Sequence, residues 1–174
     1  MASRHTISVD FQAGLSLKFN IMAKDWVVKY LADHDRHAQV QDVQAQRLEL
    51  AKAGADCFFR SFYNQVRMDV EAFNRARREA ELNEQLISSC SFIVRRSYFP
   101  SAQLQVTREE IYINYVYKFT PDHASESRIE EGQLILFADS QGRINAKHNG
   151  EPFADYGEIS EFLIRPIFDY VLKD

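Results

Sequence analysis

The sequence contains little of what usually identifies a protein class. Its only two cysteines, Cys57 and Cys90, are isolated, so they form neither a disulfide framework nor a metal-binding CxxC pair. We interpret them as reduced structural thiols, because a lone cysteine often packs as a small apolar side chain. Six glycines and four prolines in 174 residues are few. The chain should therefore consist mainly of regular helices and strands.

Long apolar runs are also missing. No run reaches the roughly 20 residues that a membrane-spanning helix requires. The first residues, Met1 to His5, lead into a mixed polar segment without the apolar core of a signal peptide. These two absences predict a soluble, cytoplasmic protein with no membrane contact.

Catalytic and metal-binding signatures are absent as well. The chain has no GxSxG elbow, no glycine-rich phosphate loop and no HExxH motif. The densest group of potential metal ligands is Asp33-His34-Asp35-Arg36-His37, in which Asp33 and His37 would share one face of a helix. A zinc site needs three or four protein ligands, however, and no second cluster supplies the rest. We therefore predict no metal and no cofactor, and the sequence favours a non-enzymatic protein.

The charge is unevenly distributed. The net charge of −4 gives no reason to expect a general nucleic-acid-binding protein. Residues 1–100 hold 14 Lys and Arg against 12 Asp and Glu, whereas residues 101–174 hold 7 against 13. Such a bias would suit head-to-tail contact between copies of the chain. A weaker alternative is nucleic-acid binding, with phosphates contacted by arginines of the central segment, although acidic residues are interleaved with them: Arg60, Arg67, Arg75, Arg77 and Arg78, with Arg95 and Arg96 further on.

The strongest positive feature is a change of hydrophobic period. A stripe with steps of three and four residues predicts a long, nearly straight amphipathic helix. Phe58 and Tyr63 lie beside this stripe and widen its apolar arc, which indicates contact with more than one neighbour. Ala51, Gly54 and Ala55 form a small-residue patch that another backbone could approach closely. The members of the stripe are Val40, Gln44, Leu48, Ala51, Ala55, Phe59, Phe62, Val66, Val70 and Phe73.

The N-terminal segment carries a second stripe with helical spacing: Phe11, Leu15, Phe19, Met22, Trp26 and Tyr30. Alternation from Leu15 to Ile21 leaves a strand as a competing interpretation. Polar residues 33–39 then interrupt the apolar face. A turn there would fold the two helices into an antiparallel hairpin, and one long helix is the alternative.

The second half of the chain predicts an antiparallel sheet. Residues 82–99 are ambiguous, and we predict helix to about residue 87 and strand over 91–99. Clean alternation follows over 111–119, then a polar loop over 120–132. Asp139-Ser-Gln-Gly and Asn149-Gly150 predict two hairpin turns, and residues 151–154 a short edge strand. A final helix is expected at about 157–172, with Asp155 and Glu158 spaced as a capping box and Pro166 as a kink or a lost hydrogen bond.

The predicted fold is thus a single α+β domain over residues 1–174. Residues 1–88 should be mainly helical, residues 89–155 an antiparallel sheet of three to five strands, and residues 156–174 a C-terminal helix. Long amphipathic helices and the C-terminal helix should cover the sheet.

Two functional hypotheses follow. The first is a non-enzymatic protein that associates with itself or a protein partner, as a component of a larger bacterial or phage assembly. Its expected interaction surface is the wide apolar arc of Ala51, Ala55, Phe58, Phe59, Phe62 and Tyr63. The alternative is a small-ligand-binding domain or enzyme, with a pocket between sheet and helices lined by Tyr115 and Tyr117.

Overall fold

The computed structural model describes residues 10–77, 82–96 and 98–171, with side chains from residue 25 to residue 170 of these ranges. A long helix precedes an antiparallel sheet, and a shorter helix follows it. The elements are α1 (Asp10–Ala76), β1 (Asn83–Ser88), β2 (Ser91–Arg96), β3 (Ser101–Glu109), β4 (Tyr112–Thr120), β5 (Arg128–Ala138), β6 (Ile144–His148), β7 (Glu151–Pro152) and α2 (Tyr156–Val171).

The chain divides into two compact units, Met1–Ala45 and Gln46–Asp174. Of the first unit, the structure describes helix α1 from Asp10 onward. The second unit contains the rest of α1, the sheet and α2. None of the described helices has an apolar stretch long enough to cross a bilayer.

The predicted helical hairpin is wrong, because residues 33–39 are helical and belong to α1. This segment contains neither glycine nor proline, so nothing in it breaks a helix. Its polar side chains also make contacts within the helix. The Arg36 guanidinium lies 3.5 Å from the Asp33 carboxylate, and His37 Nδ1 lies 2.7 Å from the Asp33 carbonyl oxygen. The polar interruption is a solvated part of the helix.

The sheet is antiparallel throughout, and the order of its described strands follows the chain from β1 to β7. It has seven strands, so the prediction of three to five was too low. One of the additional strands is β1, which replaces the helix that was predicted to continue to about residue 87. The spacing of Leu82 and Leu86 resembled a helix, but β1 pairs with β2 from Asn83↔Arg95 onward.

The predicted polar loop over 120–132 is also too long, because β5 begins at Arg128. The first part of β5 pairs with the end of β4, with Tyr115 opposite Gly132 and Tyr117 opposite Glu130. Its side chains from Arg128 to Gln133 are all exposed or half-buried. The polar composition of residues 128–133 therefore reflects their exposed position in a strand. In the sequence alone, such a segment looks like a loop.

Both helices pack on one face of the sheet, which we call the inner face. The alternating positions predicted over 111–119 are all buried there, from Ile111 to Phe119. Helix α1 contacts this face through Phe59 and Phe62, whose ring centres lie 5.6 and 5.7 Å from that of Phe92. Helix α2 buries its apolar face in the same cluster: Ile159, Leu163, Ile164 and Ile167. The core of the second unit therefore lies between the two helices and the sheet.

The predicted turns are confirmed. Asp139 accepts a backbone hydrogen bond from Gly142 and donates one to Arg143, and Gly142 has φ +77°. Asn149 and Gly150 have φ angles of 52° and 93°, as the hairpin between β6 and β7 requires. These turns fix the order of the last three strands.

The helix boundary predicted near Asp155 is confirmed as well. Asp155 Oδ1 accepts a hydrogen bond of 2.9 Å from the Glu158 amide at the start of α2. The reciprocal bond runs from the amide of Ala154, rather than of Asp155, to Glu158 Oε2 at 2.7 Å. Pro166 lies inside α2, which continues to Val171.

Candidate functional site

The side chains predicted as an interaction surface lie in the core of the second unit. Ala51, Ala55, Phe58, Phe59 and Phe62 are each at most 4% exposed. Tyr63 is partly buried against the same cluster, with its ring centre 5.3 Å from that of Phe92. Phe58 packs on Tyr156 of α2 at 5.0 Å. The sheet and α2 therefore cover this apolar arc within one chain.

The small-residue patch has an internal partner too. A side-chain carbon added at Gly54 would lie 2.5 Å from Cγ1 of Ile144 in β6. The close approach that the sequence predicted is thus made by a side chain of the same unit.

Tyr115 and Tyr117, the predicted pocket residues, are 7% and 4% exposed on the inner face. The Tyr117 hydroxyl donates a 2.8 Å hydrogen bond to the carbonyl of Leu163 in α2. Burial raises the pKa of Tyr117 well above its usual value, and neighbouring Tyr115 and Glu130 raise it further. The pKa of Tyr115 is raised by burial alone, and its hydroxyl lies 3.4 Å from His148 Nε2. Both rings pack against α2, and they line none of the cavities described below.

Two of the predicted arginines of α1 make contacts within the helix. Arg67 lies 3.9 Å from the Glu71 carboxylate, and Arg75 donates to the Glu71 carbonyl at 3.3 Å. Arg78 falls outside the described residues. Arg95 and Arg96 lie in β2, apart from α1 in sequence.

Among the described residues, no group of three or more His, Cys, Asp and Glu side chains could hold a metal ion. Asp33 and His37 share a helix face as expected, but His37 contacts the backbone carbonyl of Asp33. Cys57 is exposed and Cys90 is half-buried, and both are free thiols.

The most unusual surface is the apolar one on the described part of the first unit. Every described side chain over residues 25–45 is exposed except that of Asp33, which is intermediate. Seven of the exposed side chains are large and apolar: Trp26, Val27, Val28, Tyr30, Leu31, Val40 and Val43. Trp26 and Tyr30 are 62% and 61% exposed, and their rings meet edge to face at 6.4 Å.

Four of these residues form a contiguous group. Trp26, Val27, Tyr30 and Leu31 stand at positions i, i+1, i+4 and i+5, which lie together on one side of a helix. We call this group the apolar patch. Large exposed apolar patches on soluble proteins usually mark interaction surfaces.

The second unit has a groove of about 720 Å³ between α1 and α2. At its apolar end Phe73 and Phe168 stack at 3.9 Å. Its polar end is held by buried Ser160, whose hydroxyl donates a 2.6 Å hydrogen bond to Asp69, and by Gln65, which donates to the same carboxylate at 3.0 Å. The polar groups of Gln65, Asp69 and Ser160 bond to one another, so they hold α1 and α2 together.

Comparison of the chain with known protein families, curated proteins and solved structures finds no match.

The period of the central stripe did not indicate which part of α1 is buried. The period of three and four residues runs without interruption from Val40 to Phe73, although burial begins only at Ala51. One signal did distinguish the two parts. The N-terminal stripe contains Trp26 and Tyr30 but is followed by polar residues 33–39, whereas the stripe from Ala55 to Val66 gains flanking aromatic residues on both sides.

Proposed function

We propose that this chain is a non-enzymatic interaction protein that associates with itself through α1 and serves as a component of a larger assembly. The observation that supports the proposal is the exposed apolar patch, Trp26, Val27, Tyr30 and Leu31. Complete burial of a large apolar side chain is worth about 1.5–3 kcal/mol. Leaving four such side chains in water within six residues has no benefit to an isolated chain.

The helical structure of residues 25–45 also supports self-association. Isolated helices gain little stability from propensity, and most helical stability in proteins comes from packing an apolar face. Residues 25–45 are helical, yet their side chains have no cover. Packing against the same segment of a second copy would supply that cover.

The charges of the segment suit pairing with itself. Lys29 and Arg36 alternate with Asp25, Asp33 and Asp35, so both signs lie close to the apolar patch. Two copies can therefore set opposite charges beside each other at the rim of a buried apolar contact. Like any symmetric contact, this one would use the same surface on both copies.

The experiment is light scattering coupled to gel filtration over a micromolar concentration series. The wild-type chain should show a mass that rises from monomer to dimer or higher oligomer. Trp26→Gln combined with Leu31→Gln should raise the dissociation constant of self-association at least about tenfold, because two buried apolar contacts are lost. Glutamine keeps a good helix propensity, so the helix itself should persist.

The matched control is Leu86→Gln combined with Ile87→Gln. These β1 side chains are 49% and 52% exposed, so the change in exposed apolar surface is similar. The control should associate like the wild type. A wild-type chain that remains monomeric at every concentration, or a control as defective as the α1 variant, would overturn the proposal.

A further inference from the structure

A second surface of the chain carries chemistry of a different kind. A pocket of about 420 Å³ opens at one end of the sheet, where β2 ends, β3 begins and β4 ends. We call it the basic pocket. Its lining includes Arg95, Arg96, Ser101, Gln103, Lys118 and Thr120.

Strand register sets three of these residues in one row on the outer face. Arg95 of β2 pairs with Gln103 of β3, and Gln103 pairs with Lys118 of β4. Neighbouring strands are about 4.8 Å apart, so the two cations stand about 10 Å apart at the backbone with an amide side chain between them. Long cationic side chains on both sides can converge on one small anion above Gln103.

The electrostatic setting of the row is unusual for this chain. Three cations line the basic pocket, Arg95, Arg96 and Lys118, and none of the described residues of its lining is a carboxylate. The chain as a whole holds 21 Lys and Arg against 25 Asp and Glu. Within the part of the chain that the structure describes, neither Arg95 nor Lys118 makes an ion pair. Their charges are available to a ligand.

Hydroxyl groups complete the lining. Ser101 and Thr120 are paired across β3 and β4, and Thr120 Oγ1 lies 2.8 Å from Ser127 Oγ. Each hydroxyl can donate one hydrogen bond, and the Gln103 amide can donate two. The oxygens of a tetrahedral oxyanion can accept hydrogen bonds from these groups as well as from a guanidinium and an ammonium group.

We propose that the basic pocket binds the phosphate group of a small phosphorylated ligand, with Arg95 and Lys118 as the charged contacts. The volume exceeds that of a single inorganic ion and falls within the range of small-molecule sites. A long polyanion fits less well. The next row of the outer face runs through Val116 to exposed Glu131, which would repel an extending phosphate chain.

The test is a titration followed by NMR and calorimetry at low salt, with inorganic phosphate and with glycerol phosphate as probes. Both should shift the amide signals of β2–β4 near the pocket. The apparent affinity should fall steeply as salt is added, because ion contacts are screened. Acetate at the same ionic strength should bind at least about tenfold more weakly, since it offers fewer acceptor oxygens and less charge.

Lys118→Gln and Arg95→Gln should each weaken phosphate binding about tenfold, by loss of one charge-assisted hydrogen bond. Lys118→Arg should retain it. Arg60→Gln is the matched control, because Arg60 is an exposed cation of α1 that does not line the basic pocket. Both pocket side chains are exposed, so the variants should fold, and thermal unfolding would verify this.

The source of the phosphate is distinguished by a further comparison. Vesicles of phosphatidylcholine with phosphatidic acid should bind only if a lipid headgroup occupies the pocket, and vesicles without phosphatidic acid should not. No binding of any phosphate probe, or equal loss in Arg60→Gln, would overturn the proposal. Oligomeric state plays no part in this readout, so its outcome is independent of the proposed self-association.

Discussion

At the residue scale, Gly54 shows how one position serves the packing of a helix on a strand. Glycine within a helix costs about 1 kcal/mol relative to alanine. Here the backbone of α1 approaches Ile144 so closely that an added Cβ would lie 2.5 Å from Cγ1 and 3.2 Å from Cδ1. Ile144 is β-branched, and its Cγ1 has few alternative positions.

Gly54→Ala should therefore destabilise the protein despite its better helix propensity. The steric overlap is worth about 1–3 kcal/mol against a propensity gain of about 1 kcal/mol, so we expect a net loss of roughly 1 kcal/mol. Urea unfolding followed by circular dichroism measures this difference. In an Ile144→Ala background the same substitution should become neutral or stabilising. Equal cost in both backgrounds would mean that Ile144 is not the cause.

Tyr117 is a residue at which burial determines behaviour at alkaline pH. Its hydroxyl is bonded to the Leu163 carbonyl, and burial is the main reason that its pKa is raised. Above the usual tyrosine pKa of about 10 the unfolded chain loses this proton while the folded chain retains it. The folded state then binds more protons than the unfolded state, so stability must fall as pH rises.

We expect the wild-type protein to lose up to about 1.4 kcal/mol of folding stability per pH unit above pH 10 because of Tyr117. Tyr115 and Tyr63 should add smaller losses, because burial is the largest cause of their raised pKa values too. Tyr117→Phe should lower stability at pH 7 by about 1 kcal/mol, since the hydrogen bond is lost. Its stability should nevertheless decline less steeply above pH 10. Urea unfolding at several alkaline pH values measures both slopes, and equal slopes would contradict the argument.

At the element scale, α2 depends on the side chain that begins it. Asp155 Oδ1 accepts the Glu158 amide, one of the helix donors that has no partner within the helix. Asp155→Ala should cost about 1 kcal/mol. Asp155→Asn should cost much less, because the amide oxygen can still accept this bond. Thermal unfolding of both variants makes the comparison, and equal losses would assign the effect to charge rather than to the cap.

The elements also show which sequence signals are reliable. Alternation from Ile111 to Phe119 predicted both the strand and its buried face, because successive side chains of a strand point to opposite faces of the sheet. The turns at Asp139 and Asn149 were predictable because their backbone angles demand particular residues. Helix spacing at Leu82 and Leu86 failed, since pairing with β2 decides the structure of that segment and leaves no local trace.

Sites were less predictable than elements for a related reason. The period of α1 is the same over its exposed and its buried parts, so period alone could not say where the sheet begins to cover the helix. Only part of the basic pocket could be predicted from the sequence. Arg95 and Arg96 belong to the predicted set of arginines, but Gln103 and Lys118 join Arg95 only through strand register, which local patterns do not encode.

At the scale of the whole molecule, the two units differ in how their helical residues are protected. Over residues 51–70 six apolar side chains of the central stripe are at most 1% exposed: Ala51, Ala55, Phe59, Phe62, Val66 and Val70. Over residues 25–45 seven large apolar side chains are exposed. Local opening costs little where few contacts are buried, so amide hydrogens of the two segments should exchange with different protection.

Hydrogen exchange at several protein concentrations therefore tests the proposed function across the molecule. Amides of residues 25–45 should exchange quickly in dilute solution and become more protected as concentration rises, because association adds the missing cover. The gain follows mass action and, for a dimer, reaches about fifteenfold when the total concentration exceeds the dissociation constant a hundredfold, because the free monomer is then about 7% of the total. Amides of residues 51–70 should not respond, since their cover lies within one chain. If protection over residues 25–45 is independent of concentration, the apolar patch is not the surface that associates.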